Sequence, residues 1–447
     1  MLLTGMQNNF LSLLRELINI QSVSADPKRV EFIIKAAELI SKKLKSLGFD
    51  IKIYRRGNFP PLIIAQKIIS PQQKTIGFYS HYDVQPEDPI DEWNTSPFEL
   101  IEKNGQLYGR GVADDKGHLA AIISAIEDLI KNNKLVNNIV LVIEGEEEIG
   151  SMNFETYIKQ ANDLLKDIDV FYVLDVGMHG RNLPQIFYGL RGLVYYEIEV
   201  EIGKLDLHSG IYGNRVYNPI QVLSELFSKL KSSKTGRIMI PGFYNKVKKI
   251  TKKERELLKE ADRTDKDEAK EAGTYTVIAI DAKQHSLSTK LYPSFDVHGI
   301  VSGYTGEGSK TVIPKKAKAK FSFRLVEYQD PDLISQSVRK FFKNNIPKGV
   351  KWELKLFSQC SPFYTDFDNE YVLKVSEIMK KKYGNKTLLN RAGGSIPAAE
   401  VLKRIFDKPI ILYGFTLPES ANHAPNENIS KEMFIKGMEA IKEICSI

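Results

Sequence analysis

"NIVLVIEGEEEIGS", residues 138–151, places four glutamates within five positions directly after an apolar run. A run of that kind reads as a strand buried on both faces, as in a parallel sheet covered by helices. Four acids at its end repel one another unless the segment is a solvated loop or something positive sits there. For an isolated cluster the solvated loop is the default reading, so the rest of the chain decides.

Similar apolar runs recur at "DIKIY" (50–54), "PLIIAQKII" (61–69), "TIGFYS" (75–80) and "DVFYVL" (169–174). Helical periodicity marks residues 28–47, with Pro27 suited to the first turn and Gly48 at the end, and residues 117–132. Buried strands alternating with helices predict an α/β domain whose mixed, parallel-rich sheet is sandwiched by helices.

The pattern then changes. "YYEIEVEIG" (195–203) puts Ile198, Val200 and Ile202 on one side and Glu197, Glu199 and Glu201 on the other. "KAKAKFSFRL" (316–325) and "KWELKLF" (351–357) alternate likewise. One buried and one polar face predict an antiparallel sheet with helices on one side, the helices coming from 218–233 and 331–345. Residues 246–273, rich in Lys and Glu, read as a solvated helical excursion. Helical and buried-strand character returns at "NEYVLKVSEIMKKKYG", "KPIILYGF" and "SKEMFIKGMEAIKEI". The expected organisation is a catalytic domain in two parts, 1–187 and 362–447, interrupted by an inserted α+β domain over 188–361.

Composition narrows the classes. Lys and Arg exceed Asp and Glu by 63 − 56 = +7, but the basic runs fall on solvated strand and helix faces, so no nucleic-acid partner is expected. No stretch of about 18 uninterrupted apolar residues occurs, which argues against a transmembrane helix, and the start has no basic n-region of a signal peptide. Two distant cysteines, Cys360 and Cys445, exclude a disulfide framework and a cysteine-type zinc site and suit a reducing, cytoplasmic setting.

Chemistry gathers just past the buried strands. His81 and Asp83 follow "TIGFYS", Asp175 follows "DVFYVL", and His423 follows "PIILYGFTLPESAN". Asp114 and Asp115 open a helix. Ligands of open α/β sheets sit outside the carboxyl ends of the strands, so these positions together read as a metal site. The positive partner of the glutamates is then a pair of divalent cations. His81 and Asp83, two apart on extended chain, share a face, so the Asp can hold the imidazole while its other nitrogen meets metal. Glu147 and Glu148 are adjacent and diverge, so one can ligate while the other addresses a metal-bound water. Mixed His and carboxylate donors suit Zn2+, with Mn2+ or Co2+ as alternatives.

The motifs "SHYDVQP", "GRGVADDKG", "EGEEEIGS", "LDVGMHG", "YGLRG", "DLHSGIYG", "KTVIP", "FSFRL", "GGSIP" and "HAPNENI" span nearly the whole chain. In that order they resemble the dizinc metallopeptidases that include carnosinase, cytosolic nonspecific dipeptidase, aminoacylase, carboxypeptidase G and succinyl-diaminopimelate desuccinylase. "YGLRG", "DLHSGIYG" and "GGSIP" are most similar to the cytosolic nonspecific dipeptidase and carnosinase branch. The resemblance implies that His81 and Asp175 ligate one metal, Glu148 and His423 the other, and that Asp114 bridges them. Glu147 would be the general base on a water between the metals, with Asp83 orienting His81. It further implies that the inserted domain is a lid and dimerisation domain. There His208 stabilises the oxyanion with Thr311 nearby, both supplied by the second subunit of a homodimer, and Arg324 clamps the substrate carboxylate. Gly394 and Ser395 would line the pocket from the outer domain. His118, His179, His285 and His298 are left out of the site.

"GYTGEGSKT" (303–311) superficially matches a phosphate-binding loop, but its spacing fails and a strand pattern follows where a helix is needed, so it reads as a lid loop. The expected activity is hydrolysis of dipeptides or short peptides with release of a C-terminal amino acid. The alternatives are an N-acyl- or N-succinyl-amino-acid deacylase of the same architecture and, from another class, a catalytically dead binding protein. "GGSIP" and the complete ligand set argue against these.

Overall fold

A computed structural model describes residues 5–278 and 287–447, so His285 lies outside the described residues. The chain divides into two compact units. The first runs to Tyr188 and resumes over Thr365–Asn390 and Ile396–Ile447; the second comprises Gly189–Tyr364 and Arg391–Ser395.

The first unit is built on a mixed sheet. Its strands lie in the order Asp50–Tyr54, Leu62–Lys67, Asn138–Glu144, Thr75–His81, Val170–Val173, Ile410–Tyr413 and Gln185–Leu190. Asn138–Glu144, Thr75–His81, Val170–Val173 and Ile410–Tyr413 run parallel, with antiparallel neighbours on both sides. Every residue of Asn138–Glu144, Val170–Val173 and Ile410–Tyr413 is buried, so both faces of the centre are covered. The helix Lys116–Lys131 is buried almost all round, because Gly5–Ile18 and Lys431–Ile444 pack outside it. Among the described residues no helix is long and apolar enough to cross a membrane.

The second unit holds a four-stranded antiparallel sheet, ordered Ser294–Val301, Lys316–Leu325, Gly192–Glu201 and Lys351–Cys360. The alternation in the sequence is realised directly. Tyr196, Ile198, Val200, Phe321 and Phe323 face a core closed by Leu223, Leu226, Val338 and Phe342 of the helices Pro219–Leu230 and Pro331–Asn345. The opposite face carries cross-strand Lys–Glu pairs such as Lys318–Glu197 at 3.1 Å. Both helices begin with a polar cap ahead of proline. Asn218 accepts from the Ile220 N–H, and Asp330 from the Asp332 and Leu333 N–H groups.

The charged excursion departs from expectation. It is helical over Lys252–Glu260 and Asp265–Ala272, but it is not wholly solvated. Glu254 and Leu258 are buried, and the Glu254 carboxylate accepts from Arg391, whose other Nη donates to Glu327 at 2.7 Å. That buried ion pair holds the segment down. Gly394 and Ser395 fall with the second unit rather than the first, because the Arg191 N–H donates to the Gly394 carbonyl at 3.1 Å and Ser395 bonds Arg324 and Arg191.

Candidate metal centre

Parallel strands deliver their carboxyl ends to one edge, and the first unit's predicted residues meet there. His81 closes Thr75–His81 in register with Glu144 at the end of its neighbour. Its Nε2 lies 3.0 Å from Asp114 Oδ1 and 3.9 Å from Asp175 Oδ2. His423 Nε2 lies 2.9 Å from Asp114 Oδ2 and 3.3 Å from Glu148 Oε2. Two ligand groups result, His81–Asp114–Asp175 and Asp114–Glu148–His423, with donor atoms of each group within 4.8 Å of one another. They share Asp114, one carboxylate oxygen turned to each histidine. Glu147 belongs to neither group.

Local sequence explains each placement. Gly145 lets the chain leave the strand under the Tyr82 ring, where a Cβ would come within 2.4 Å of ring carbon. A 3-10 turn, Glu147–Ile149, follows and is closed by Gly150 in the left-handed region. Asp83 holds that turn: its carboxylate accepts from the N–H groups of Glu147 and Glu148 at 3.3 and 3.1 Å and from the Ser24 hydroxyl at 2.7 Å. Asp83 Oδ1 also lies 3.4 Å from His81 Nδ1, and its carbonyl lies 3.1 Å from the same nitrogen. One aspartate thus fixes both the imidazole and the glutamate pair. Gly117 is required where the Asp114 loop enters its helix, since a Cβ there would sit 1.9 Å from the Val112 carbonyl oxygen.

The four glutamates between residues 144 and 148 divide two and two. Glu144 turns away, accepting from the Tyr79 and Ser151 hydroxyls, and Glu146 accepts from the Asn153 amide and backbone. Of the four, Glu148 falls in a ligand group, and Glu147 lies within electrostatic reach of His81, Asp114 and His423.

Protonation reflects crowding. Burial, reinforced by neighbouring Asp114, lifts Glu147 to about 7 and Glu148 to about 8. Burial and Asp114 also raise Asp175 well above the carboxylate range. Hydrogen bonding to Asp114 lifts His423 to about 9. For His81 burial acts downward, but hydrogen bonds to Asp114 and Asp83 outweigh it and raise the group. For Asp114 burial acts upward, but the two histidines win and hold it low.

The residues fit a pair of divalent cations. Glu148 Oε1 is buried without a hydrogen-bond partner, and its carboxylate sits near the like charges of Asp114 and Asp83. Nitrogen and oxygen donors without sulfur suit zinc, manganese or cobalt. Ligation needs ionised carboxylates and neutral imidazoles, whereas the metal-free site holds protons on Glu148 and His423 at pH 7. Metal uptake is therefore expected to release protons, with affinity climbing from pH 6 to 9. Calorimetry in buffers of different ionisation heat checks this, and pH-independent uptake would contradict it.

Some supporting residues carry no signal that the sequence alone exposes. Glu427, fully buried, accepts from the N–H groups of Gly111, Ala113 and Asp114 at 3.0, 2.7 and 3.1 Å and from Arg110 at 2.7 Å. It ties the chain just after His423 to the loop carrying Asp114. Glu427→Gln is expected to lower metal affinity by about 10–100-fold, as loss of an outer support does; a metal titration with unchanged affinity would refute the role. His118 stays out of both ligand groups: its Nδ1 meets Asp115 Oδ1 at 2.9 Å and its Nε2 accepts from the Phe415 N–H at 3.1 Å. Lys116 is buried and donates to the carbonyls of Leu17 and Ile20, anchoring the same loop. His298 stacks on Tyr195 and bonds Ser322, and His179 is in neither ligand group.

Within the second unit the predicted residues form two clusters. His208 pairs opposite Val312, and the Ser209 N–H donates to the Thr311 carbonyl at 3.1 Å, so His208 and Thr311 are neighbours. The His208 Nδ1 accepts from the Gly210 N–H at 2.9 Å, leaving the proton on Nε2 of an exposed ring. Arg324 Nη1 donates to Ser395 Oγ at 3.0 Å, with Gly394 alongside.

The pattern describing peptidase family M20/M25/M40 matches residues 77–446. The chain is 32% identical over 459 residues to the Cys-Gly metallodipeptidase of Saccharomyces cerevisiae, spanning 98% of this chain and 95% of that one. It is 29% identical over 449 residues to the Beta-Ala-His dipeptidase of Homo sapiens, spanning 96% and 88%. A solved M20 family metallo-carboxypeptidase from Sulfolobus solfataricus superposes with a TM-score of 0.88 at 32% identity over 98% of both chains. Since the match runs through both units and nearly to the last residue, the chain belongs to peptidase family M20/M25/M40.

Proposed function

We propose that the protein hydrolyses dipeptides or short peptides and releases the C-terminal amino acid. The observation that carries this is the shared carboxylate of Asp114, facing His81 through one oxygen and His423 through the other, with Glu147 in neither group yet within electrostatic reach of all three. Relatives named as dipeptidases support the substrate class.

When bound, two divalent cations, Zn2+ in this reading, polarise the scissile carbonyl and acidify water. His81 and Asp175 would hold one, Glu148 and His423 the other, and Asp114 both. Glu147 takes the proton of the attacking water and returns it to the leaving amine. In the metal-free site burial lifts Glu147 to about 7, which makes its carboxylate more basic than an exposed one. Asp83 keeps His81 turned with Nε2 toward Asp114. From the second unit, His208 would donate through Nε2 to the carbonyl oxygen as it gains charge, with Thr311 beside it. Arg324, with Gly394 and Ser395, would receive the substrate carboxylate, for which a guanidinium is a planar two-pronged match.

We further propose that the protein is a cytoplasmic homodimer in which His208 and Thr311 serve the partner's centre. Mixed dimers of His208→Ala and Glu147→Gln chains are then expected to regain activity that neither parent has. No regain under verified subunit exchange would rule out sharing. The rival reading is an N-acyl-amino-acid deacylase. Chelator-stripped protein given zinc or manganese is expected to cleave a free dipeptide and not the N-acetylated amino acid; the opposite preference would replace the dipeptidase reading.

A further inference from the structure

Arg191 is only 7% exposed, yet its charge is barely answered. Its Nη2 donates to Ser294 Oγ at 2.7 Å, and its Nε is buried with no partner. Among the described residues no carboxylate approaches it within the 4.0 Å of an ion pair. The acid that bears on it, Asp296, acts at one remove: Ser294 Oγ donates to Asp296 at 3.1 Å, and Asp296 already faces Lys231 at 3.8 Å. A buried cation without a partner is costly, and such a group calls for an explanation.

A second guanidinium makes the arrangement sharper. Ser294 stands opposite Arg324 in the strand register, and among the described residues Arg324 likewise has no carboxylate within 4.0 Å, donating to Ser395 Oγ at 3.0 Å. Ser395 Oγ in turn donates to the Arg191 carbonyl, and the Arg191 N–H to the Gly394 carbonyl at 3.1 Å. Burial and the nearness of Arg324 push Arg191 down to about 10. Two like charges, two hydroxyls and a braced glycine are held together with Asp296 at one remove and, among the described residues, no carboxylate in direct contact with either guanidinium.

We propose that Arg191 and Arg324 form a two-cation seat for the free carboxylate of a C-terminal amino acid. In it Arg191 is the specificity-determining residue that discriminates an acid from its amide. Arg324 receives the carboxylate, and the buried Arg191 deepens the positive potential beneath it and fixes Gly394 and Ser395 through its own backbone. This rests on the peptidase reading above, and the seat can be tested without turnover.

The test uses metal-loaded protein with leucine and leucinamide as probes, read by thermal unfolding. Leucine is expected to raise the midpoint of the wild type and leucinamide not. Arg191→Met is expected to lose the leucine shift while its unliganded midpoint stays level or rises, since an uncompensated buried charge has gone. With glycyl-leucine and its C-terminal amide, the same variant is expected to raise KM for the acid about tenfold or more with kcat little changed, leaving the amide's kcat/KM unaltered. A retained leucine shift, an unliganded midpoint several degrees lower, or equal losses on acid and amide would each overturn the proposal. Should Arg191→Met fail to fold, Arg191→Lys keeps the charge and loses the fork. An intermediate KM for the acid supports the seat, and an unchanged KM overturns it. If no peptide is cleaved at all, the peptidase reading fails while the thermal shifts still judge the seat.

Discussion

Glu147→Gln is expected to retain the full metal complement and lose turnover by about 10²–10⁴-fold, the scale of a positioned acid or base. Glutamine keeps the shape and cannot accept the proton. Metal content should not fall, because Glu147 lies in neither ligand group while its backbone N–H remains tied to Asp83. The acids that raise Glu148, Asp114 and Asp83, stay in place in this variant. Elemental analysis alongside kcat checks both halves. Turnover within tenfold of wild type would remove the general-base role, and loss of metal would recast Glu147 as a ligand.

Asp114→Ala is expected to do the reverse, abolishing activity through loss of metal. Asp114 is the only residue common to both ligand groups, so neither group is complete without it. The affinity loss should exceed the roughly 10–100-fold that follows removal of an outer support such as Glu427. It also leaves His81 and His423 without the anion that both face, so both imidazoles should titrate lower. The readout independent of activity is thermal: zinc should raise the unfolding midpoint of the wild type and leave that of the variant unmoved. A variant that still binds two ions with similar affinity would break the bridging assignment.

The architecture and the first unit's candidate site were legible in the sequence for one reason. Continuous apolar runs such as Asn138–Glu144 mark parallel strands, parallel strands align their carboxyl ends, and His81 stands at such an end with Asp175 and the Glu147–Glu148 pair just beyond others. The family resemblance then divided the ligands between two groups, and the geometry brings together the same residues. Other features were not legible because their cause is tertiary. Glu427 acts by collecting N–H groups of a loop more than 300 positions earlier, which no local spacing announces. Glu254 lies in a run whose composition reads as solvated, and its burial follows from Arg391 on a distant segment. The edge strand Ser294–Val301 is exposed beyond Phe295 and shifts register between Val297 and Gly299, so it carries no alternation to read. Arg191 looks like one more charge beside a glycine until its burial and the company of Arg324 are seen.

Anomalous diffraction from crystals grown with zinc locates the ions themselves. Two peaks about 3.5–4 Å apart are expected. One would lie against His81 and Asp175, the other against Glu148 and His423, with an Asp114 oxygen on each. A single peak, or two peaks that do not share Asp114, would contradict a pair of ions bridged by Asp114.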